Sequence, residues 1–352
     1  MVDIGIREDG ETLPLIVRPR AGTEAERNRS AGFLKEWIKA NRTLIEQKLL
    51  QHGAILFRGF HVTSGIEFQE IIQEYEPELS QEYRGTSPRN QLPGTEYVFS
   101  ASELPPYFPI PQHLEMSFLP SPPRKIFFCC LDPPTSPGGE TCLCDFKKVH
   151  DQMDPKIRKE FEDKGIMHLR NYKGTKTGLL TDPTMLKGWQ DVFGTTSRQV
   201  VEEELRKSGA EFQWRDGDSL RIVDRGSAIE KHPVTGEKIW FNHSQLFHWS
   251  MIPSEYYHIY KRLGQMKYLL YSWMMWLLKV ILFTFLGPMR HIRDVMWKNM
   301  VFNRWELGDI VLIDNYWISH GRQPYSGNRK VVVSWSKPYL KPSHRDTSQS
   351  GK

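Results

Sequence analysis

A histidine and a glutamate two residues apart form the pattern with the clearest chemical meaning. Residues at positions i and i+2 of a β-strand face the same side, so His113 and Glu115 could reach one metal ion together. A second histidine would complete a facial triad, which leaves three open coordination positions on Fe(II). Taken alone the pattern is weak, because a histidine near a carboxylate usually forms only a surface hydrogen bond.

The second histidine must come from elsewhere in the chain, and His320 is the candidate. It follows one apolar strand pattern and precedes Arg329, which opens the next. A guanidinium is a planar fork of donors that suits a dicarboxylate, so an inward-facing Arg329 would favour a small acid beside the metal. The alternative for Arg329 is a surface position at a turn.

Other polar residues give weaker signals. His243 and His248 are five residues apart and do not share a helical face, so a packing role is favoured over a place in a pocket. The pair Gly138 and Gly139 predicts a hairpin turn, which could present the hydroxyl of Thr141 at the mouth of a sheet.

Short apolar runs predict the strands that would position these residues. The predicted strands are 53–57, 125–131, 140–145, 221–223, 238–241, 310–314 and 330–335. Helices are predicted over about 24–52 and 147–165. A polar loop is predicted to follow the strand at 53–57 and to continue up to about 112, and another loop carries His320. Short strands with Pro and Gly turns predict a mainly β fold with flanking helices, an antiparallel sandwich or barrel.

Residues 268–286 do not fit this pattern. The segment YLLYSWMMWLLKVILFTFL contains a single charge, Lys279, and is long enough to span a bilayer. A charge near the middle of such a span costs about 2.5–3.5 kcal/mol. Three interpretations stay open: a buried helix, a membrane anchor or hairpin, and an aberrant insertion from an incorrect gene structure.

Composition excludes several classes of protein. The 352 residues are 12% aromatic and 25% charged, which is typical of a folded globular chain and not of a disordered one. The net charge of +5 comes without a long basic run, so no nucleic-acid partner is expected. The four cysteines lack paired C-x-x-C spacing and are expected to be buried and reduced. The N-terminus has no signal-peptide pattern, so a cytoplasmic location is expected.

Eight segments in order resemble the taurine dioxygenase (TauD/TfdA-like) superfamily of Fe(II)/2-oxoglutarate-dependent oxygenases. They include GAILFRGF at 53–60, IPQHLEMSF at 110–118, PGGETCLCD at 137–145, WELGDIVLIDN at 305–315 and SHGRQPYSGNRKVVVSW at 319–335. Within the superfamily, the segments most resemble the clavaminate-synthase-like and syringomycin-cluster hydroxylase branch, which has glutamate in its H-x-E segment. The resemblance covers about 30–265 and 289–338, so the apolar segment is a departure from the family pattern.

The resemblance implies a double-stranded β-helix, or jelly roll, formed by a single domain over 1–352 with its core at about 30–338. It implies that His113, Glu115 and His320 bind Fe(II). It also implies that Arg329 and the Thr141 hydroxyl hold 2-oxoglutarate as co-substrate. A glycine or alanine in place of Glu115 would instead indicate a halogenase.

Three further residues, Asn171, Asn242 and Arg322, fall on segments that border the substrate or the metal in such relatives. The resemblance implies that O2 and 2-oxoglutarate are consumed while a small, amino-acid-like substrate is oxidised, most commonly by hydroxylation. Two alternatives stay open. One is a non-catalytic binding or regulatory relative, and the other is a membrane-associated oxygenase that acts on a lipid through residues 268–286.

Overall fold

The structure is a computed structural model that describes residues 1–22, 25–85, 87, 89–174, 187–248, 250–280 and 287–339. Its strands are β1 (Val2–Gly5), β2 (Leu15–Pro19), β3 (Ala54–Phe57), β4 (Phe99–Ser100), β5 (Ile110–His113), β6 (Lys125–Asp132), β7 (Thr141–Asp145), β8 (Ile166–Tyr172), β9 (Glu211–Arg215), β10 (Ser219–Gly226), β11 (Ile229–Lys231), β12 (Lys238–Trp240), β13 (Met300–Asn303), β14 (Ile310–Asp314), β15 (Ile318–Arg322) and β16 (Lys330–Trp335). Its helices are α1 (Ala25–Arg29), α2 (Ala31–Ala40), α3 (Arg42–His52), α4 (Gly65–Tyr75), α5 (Phe146–Gln152), α6 (Pro155–Lys164), α7 (Trp189–Phe193), α8 (Arg198–Ser208), α9 (Ser244–Phe247), α10 (Met251–Leu263), α11 (Met266–Val280) and α12 (Gly287–Lys298).

Two larger sheets form the centre of the fold. One has the strand order β1-β2-β3-β14-β6-β16-β4 and the other has the order β13-β7-β15-β5. Side chains from both sheets, including Leu143, Val311 and Val333, pack in one buried cluster, so the sheets lie face to face. Smaller sheets, β8-β10-β9 and β11-β12, complete the strands that the structure describes. The prediction of β-sheets with flanking helices is thus confirmed, although the described helices contain more residues than the strands.

Helices α2, α3 and α4 cover the outer face of the larger sheet. Leu34, Ile45 and Phe68 from these helices share a buried cluster with Ile55 and Leu312 of the sheet. Burial of side chains of this size stabilises the fold by about 1.5–3 kcal/mol each. This layer holds the larger sheet rigid behind the smaller one.

The predicted helix over 24–52 is wrong in its continuity. It is divided into α1, α2 and α3, because Ser30 caps α2 by accepting a hydrogen bond from the Phe33 N–H and Asn41 has a non-helical backbone. The predicted helix over 147–165 is likewise divided, and Asp154 caps its second part.

The loop predicted up to about 112 contains α4, which the sequence analysis did not predict. Ser64 and Glu67 form a capping box at its first turn, in which each side chain bonds the backbone N–H of the other residue. The S-x-x-E pattern ahead of an apolar run was the signal for this helix.

The apolar segment begins in helix α11. Tyr268 and Ser272 are buried against α10, and the Ser272 hydroxyl donates to the Pro253 carbonyl at 2.7 Å. Leu270 and Trp273 are 57% and 59% exposed. The buried-helix interpretation therefore fits only one face of the described part, and residues 281–286 lie outside it. Of the helices that the structure describes, none combines the length and apolar character needed to cross a membrane.

Candidate metal centre

His113, Glu115 and His320 converge where β5 and β15 pair. The Cα atoms of His113 and His320 are direct partners in the antiparallel ladder, and their ring centroids are 4.4 Å apart. One ligand atom from each of the three residues lies within 4.8 Å of the others. The Nε2 atom of His320 is 3.7 Å from Oε2 of Glu115. Two imidazoles and a carboxylate in this arrangement could hold one metal ion.

The route by which Glu115 reaches this group differs from the sequence prediction. Strand β5 ends at His113, so Glu115 lies beyond the strand, and the following Met116 has a left-handed φ of 55°. Asn315 fixes the turn: its Oδ1 accepts from the Glu115 N–H at 2.7 Å, and its Nδ2 donates to the Glu115 carbonyl at 2.9 Å. The predicted loop around His320 is also wrong, because His320 lies inside β15 and the strand ladder fixes its position.

The protonation states of the group suit metal binding. Nδ1 of His113 donates to the Pro111 carbonyl at 2.9 Å, which leaves Nε2 as the atom with a free lone pair. Burial, aided by the neighbouring His320, lowers the pKa of His113 to about 3. Burial by itself would raise the pKa of Glu115, but the positive charge of Arg89 and the nearby histidines bring it well below its usual range. At neutral pH the group therefore presents a neutral imidazole and a carboxylate anion.

Arg329 and Thr141 meet beside the metal centre. Thr141 opens β7 directly after the glycine turn, and its hydroxyl accepts hydrogen bonds from the Trp305 Nε1–H at 3.1 Å and from Nη2 of Arg329 at 3.3 Å. Nε of Arg329 donates to the Gly139 carbonyl at 2.8 Å. Trp305 was missed by sequence reasoning, although it lies in one of the segments that carry the family resemblance.

This side of the site carries unbalanced positive charge. Burial, together with the nearby charge of Arg322, lowers the pKa of Arg329 to about 10. Among the described residues, no carboxylate forms an ion pair with Arg329 or Arg322, although Arg322 is buried and Arg329 is half-buried. A buried charge without a counter-ion is costly, so the arrangement fits a small dianion that would complete it.

Arg322 and Asn242 are both buried, and their side chains form hydrogen bonds to backbone groups of the chain. The Arg322 guanidinium donates to the carbonyls of Leu104, Pro105 and Phe108 at 3.1, 2.7 and 2.8 Å. It therefore ties the loop before β5 to β15, next to Arg329.

Asn242 has both ends of its amide engaged by backbone groups. Its Nδ2 donates to the Ala228 carbonyl at 2.8 Å, and its Oδ1 accepts from the Ser244 N–H at 2.9 Å. This pairing holds the turn that carries His243. Asn171 lies in β8 and is exposed, on the face opposite to His168 and Arg170. The structure thus brings neither asparagine amide to the three converging ligand atoms.

A pair of histidines lies on the other side of His113. Nε2 of His243 donates to the Leu114 carbonyl at 2.6 Å, and its ring centroid is 6.1 Å from that of His113. The ring of His168 follows at 6.3 Å from that of His243. Within the described part of the chain, Nδ1 of His243 and Nε2 of His168 are buried without a hydrogen-bond partner. The packing role favoured for His243 thus accounts for only one of its ring nitrogens.

Comparison with known proteins settles the family. Residues 17–335 match the family described as "Taurine catabolism dioxygenase TauD, TfdA family". The chain belongs to this family. It is 30% identical over 301 residues to the dapdiamide synthesis protein DdaC of Enterobacter agglomerans, covering 84% of this chain and 85% of that protein. It is 26% identical to a clavaminate synthase-like protein of Arabidopsis thaliana, covering 94% of this chain and 95% of the relative.

Solved structures show the same fold. PvcB, described as an Fe, alpha-ketoglutarate dependent oxygenase from an isonitrile synthetic pathway, is 14% identical and aligns with a TM-score of 0.51, covering 96% of this chain and 91% of its own. The predicted resemblance to TauD/TfdA-like proteins is confirmed. As a member of this family, the chain is a 2-oxoglutarate-dependent non-haem iron dioxygenase, with Fe(II) as its metal and 2-oxoglutarate as its co-substrate.

Proposed function

We propose that His113, Glu115 and His320 bind Fe(II), and that Arg329 with the Thr141 hydroxyl binds the distal carboxylate of 2-oxoglutarate. The observation that carries the proposal is the convergence of the three ligand atoms within 4.8 Å of one another. A buried guanidinium beside Thr141 supports the second part, since a fork of donors suits a carboxylate. A complete ligand set with this cation speaks against a non-catalytic relative.

When bound, the iron and 2-oxoglutarate supply the oxidising chemistry, an oxidative decarboxylation that consumes O2. The residues of the chain position and protect it. Glu115 offsets part of the metal charge, and the Pro111 carbonyl fixes the tautomer of His113. The Phe128 ring packs 5.0 Å from the His320 ring and excludes water from that side of the ligand.

We further propose that the two larger sheets form the two faces of a double-stranded β-helix, and that residues 1–352 form one domain. The face-to-face packing of the sheets supports this topology, and so does the fold shared with PvcB. The site lies between the sheets at the end where β5, β7 and β15 carry its residues.

The substrate that the site favours is a small polar molecule, amino-acid-like, that undergoes hydroxylation. As far as the structure describes the chain, Nδ1 of His243 and Nε2 of His168 are buried without a partner, on rings that follow one another from His113. Arg170 and Asp224 add an ion pair of 2.5 Å to the same surface. A hydrocarbon chain would leave the two histidine nitrogens unpaired, which costs about 1–3 kcal/mol for each. The relation to DdaC, a dapdiamide synthesis protein, agrees with a polar substrate.

A lipid substrate is the second candidate, because α11 exposes Leu270, Trp273 and Met274. Succinate formation from 2-oxoglutarate, measured with added Fe(II) and separate panels of L-amino acids and fatty acids, discriminates between the two. We expect stimulation by a member of the amino-acid panel and its loss in the variant H320A. Stimulation by fatty acids alone would support the lipid alternative. No succinate in any reaction of the folded, iron-loaded protein would contradict the catalytic function.

A further inference from the structure

A third buried arginine touches the metal centre and was not expected from the sequence. Nη2 of Arg89 lies 2.8 Å from Oε2 of Glu115, and the two side chains are only 6% and 5% exposed. Arg89 comes from the segment before β4, far from Arg329 along the chain. A charge-assisted hydrogen bond between groups this well buried is strong and directional.

Arg89 is itself held from several sides. Its Nη1 donates to the Ala101 carbonyl, and the guanidinium carbon lies 4.5 Å from the Tyr83 ring centroid and 5.8 Å from that of Trp335. Trp335 is anchored in β16, where its ring stacks on Phe99 with centroids 4.9 Å apart. Cation–π contacts at buried sites contribute about 2 kcal/mol. The guanidinium is therefore fixed before any metal arrives.

We propose that Arg89 is a positioning residue for the metal centre, which holds the Glu115 carboxylate in one orientation through Oε2, the oxygen that lies 3.7 Å from Nε2 of His320. The proposal rests on the proposed ligand role of Glu115. A carboxylate can bind a metal through one oxygen or through both. A guanidinium bound to Oε2 fixes the plane of the carboxylate and so restricts its change between these two modes.

This restriction matters because of the reaction. Single-oxygen binding by Glu115 leaves three open positions for 2-oxoglutarate and O2, whereas two-oxygen binding would fill one of them. The backbone of Glu115 is already fixed by Asn315, so the remaining freedom is in its side chain. The hydrogen bond from Arg89 restricts that freedom.

A purely structural ion pair is the competing explanation. In that case Arg89 would only neutralise a buried carboxylate, and its loss would lower stability without a specific effect on the metal. Arg84 provides a matched control, because its guanidinium also lies over an aromatic ring, Phe193 at 5.3 Å, and pairs with acids, Glu82 and Glu204. None of these contacts involves a residue of the metal centre.

The test is a titration of the apoprotein with Mn(II), in which the electron paramagnetic resonance signal of free Mn(II) reports binding without O2 or turnover. R89Q, R89K and R84Q are compared with the native chain, and thermal unfolding of each apoprotein is recorded alongside. We expect R89Q to bind Mn(II) about 10–100-fold more weakly, as loss of a partner of a metal ligand usually does. R89K should show an intermediate loss, because an ammonium keeps the charge but lacks the planar fork of donors with which Arg89 engages Glu115 and Ala101 together. R84Q should match the native chain.

The bound Mn(II) spectrum gives the readout that a structural role would not change. We expect its zero-field splitting to differ between R89Q and the native chain, because the carboxylate would bind differently. Binding by R89Q within twofold of native, with an unchanged spectrum, would overturn the proposal. If R89Q does not fold, the same criterion applies to R89K. Failure of the native chain to bind Mn(II) would instead contradict the ligand assignment on which the proposal rests.

Discussion

The two sides of the metal centre are built in different ways. On the 2-oxoglutarate side, Thr141 and Arg322 are direct partners in the β7–β15 ladder, and Arg329 immediately precedes β16. On the opposite side, Arg89 comes from an irregular segment and His243 from a turn before a short helix. A strand ladder fixes its residues through backbone register, whereas the second side depends on individual side-chain contacts. The first side therefore suits an invariant co-substrate and the second suits a variable substrate.

Replacing Arg329 by alanine tests the 2-oxoglutarate side, whose residues are fixed by the strand ladder, and should have the largest effect on ligand binding. Loss of one partner of a buried, hydrogen-bonded charge pair costs about 2–5 kcal/mol, so 2-oxoglutarate affinity should fall by that amount. Binding of Mn(II) in the absence of 2-oxoglutarate should not change. Calorimetric titration of both ligands measures this, with K330A as a control, since Lys330 is the exposed neighbour. If R329A lost metal affinity and 2-oxoglutarate affinity equally, the claim that Arg329 serves only the 2-oxoglutarate side would be wrong.

The opposite side should be sensitive to pH. Burial lowers the pKa of His243 to about 4 in the folded chain, whereas an unfolded histidine titrates near 6.5. Between these values the unfolded chain binds more protons, so the free energy of unfolding falls as the pH falls. From pH 7 to pH 5 this contribution is about 2 kcal/mol. Urea unfolding of the apoprotein should show that H243Q, which keeps a donor for the Leu114 carbonyl, loses about that much less than the native chain. An equal loss in both would show that His243 does not titrate in this way.

Replacing Thr141 by valine also tests the 2-oxoglutarate side, with a smaller expected effect on 2-oxoglutarate affinity. The hydroxyl accepts bonds from Trp305 and Arg329, so T141V leaves the buried indole N–H unpaired and removes one contact to 2-oxoglutarate. We expect a loss of about 1 kcal/mol in 2-oxoglutarate affinity. T141S should restore it. If T141V binds 2-oxoglutarate as tightly as the native chain, the hydroxyl has no part in holding the co-substrate.

Replacements of Asn171 and His168, which lie on opposite faces of β8, are expected to have the smallest effects. Asn171 is exposed on the face away from the site, so N171A should change succinate formation and stability by less than about 0.5 kcal/mol. H168A, on the other face, should raise the KM for the substrate that the panels identify. Steady-state kinetics of both variants decides between them. A larger effect of N171A than of H168A would restore the substrate role implied for Asn171.

The residues of the 2-oxoglutarate side were also the ones that the sequence identified. His113, His320, Thr141 and Arg329 were weak signals one by one, and the family resemblance singled them out together; the structure places them on β5, β15, β7 and directly before β16. The strand around His320 was missed because its sequence, ISHGR, has too few apolar residues to show alternation, and its partners β5 and β7 lie far away in the chain.

The side formed by individual contacts could not be predicted in the same way. Arg89 and Glu115 are 26 residues apart, and the two short strands between them, β4 and β5, do not by themselves set the distance between the side chains. His243 reaches Leu114 across a separation of 129 residues. Contacts of this kind depend on how the sheets and loops pack, and a single sequence contains no periodic signal for them.

The most direct test of the account is an anaerobic titration of the apoprotein with Fe(II) and 2-oxoglutarate, followed through the visible charge-transfer absorption of a keto acid bound to ferrous iron. Native protein, H113A and R329A are compared, and folding of each is checked by circular dichroism. We predict that the band forms in the native protein, is lost in H113A, and needs much more 2-oxoglutarate in R329A. A folded native protein that forms no band, or an H113A variant that forms the same band, would contradict the proposed metal centre.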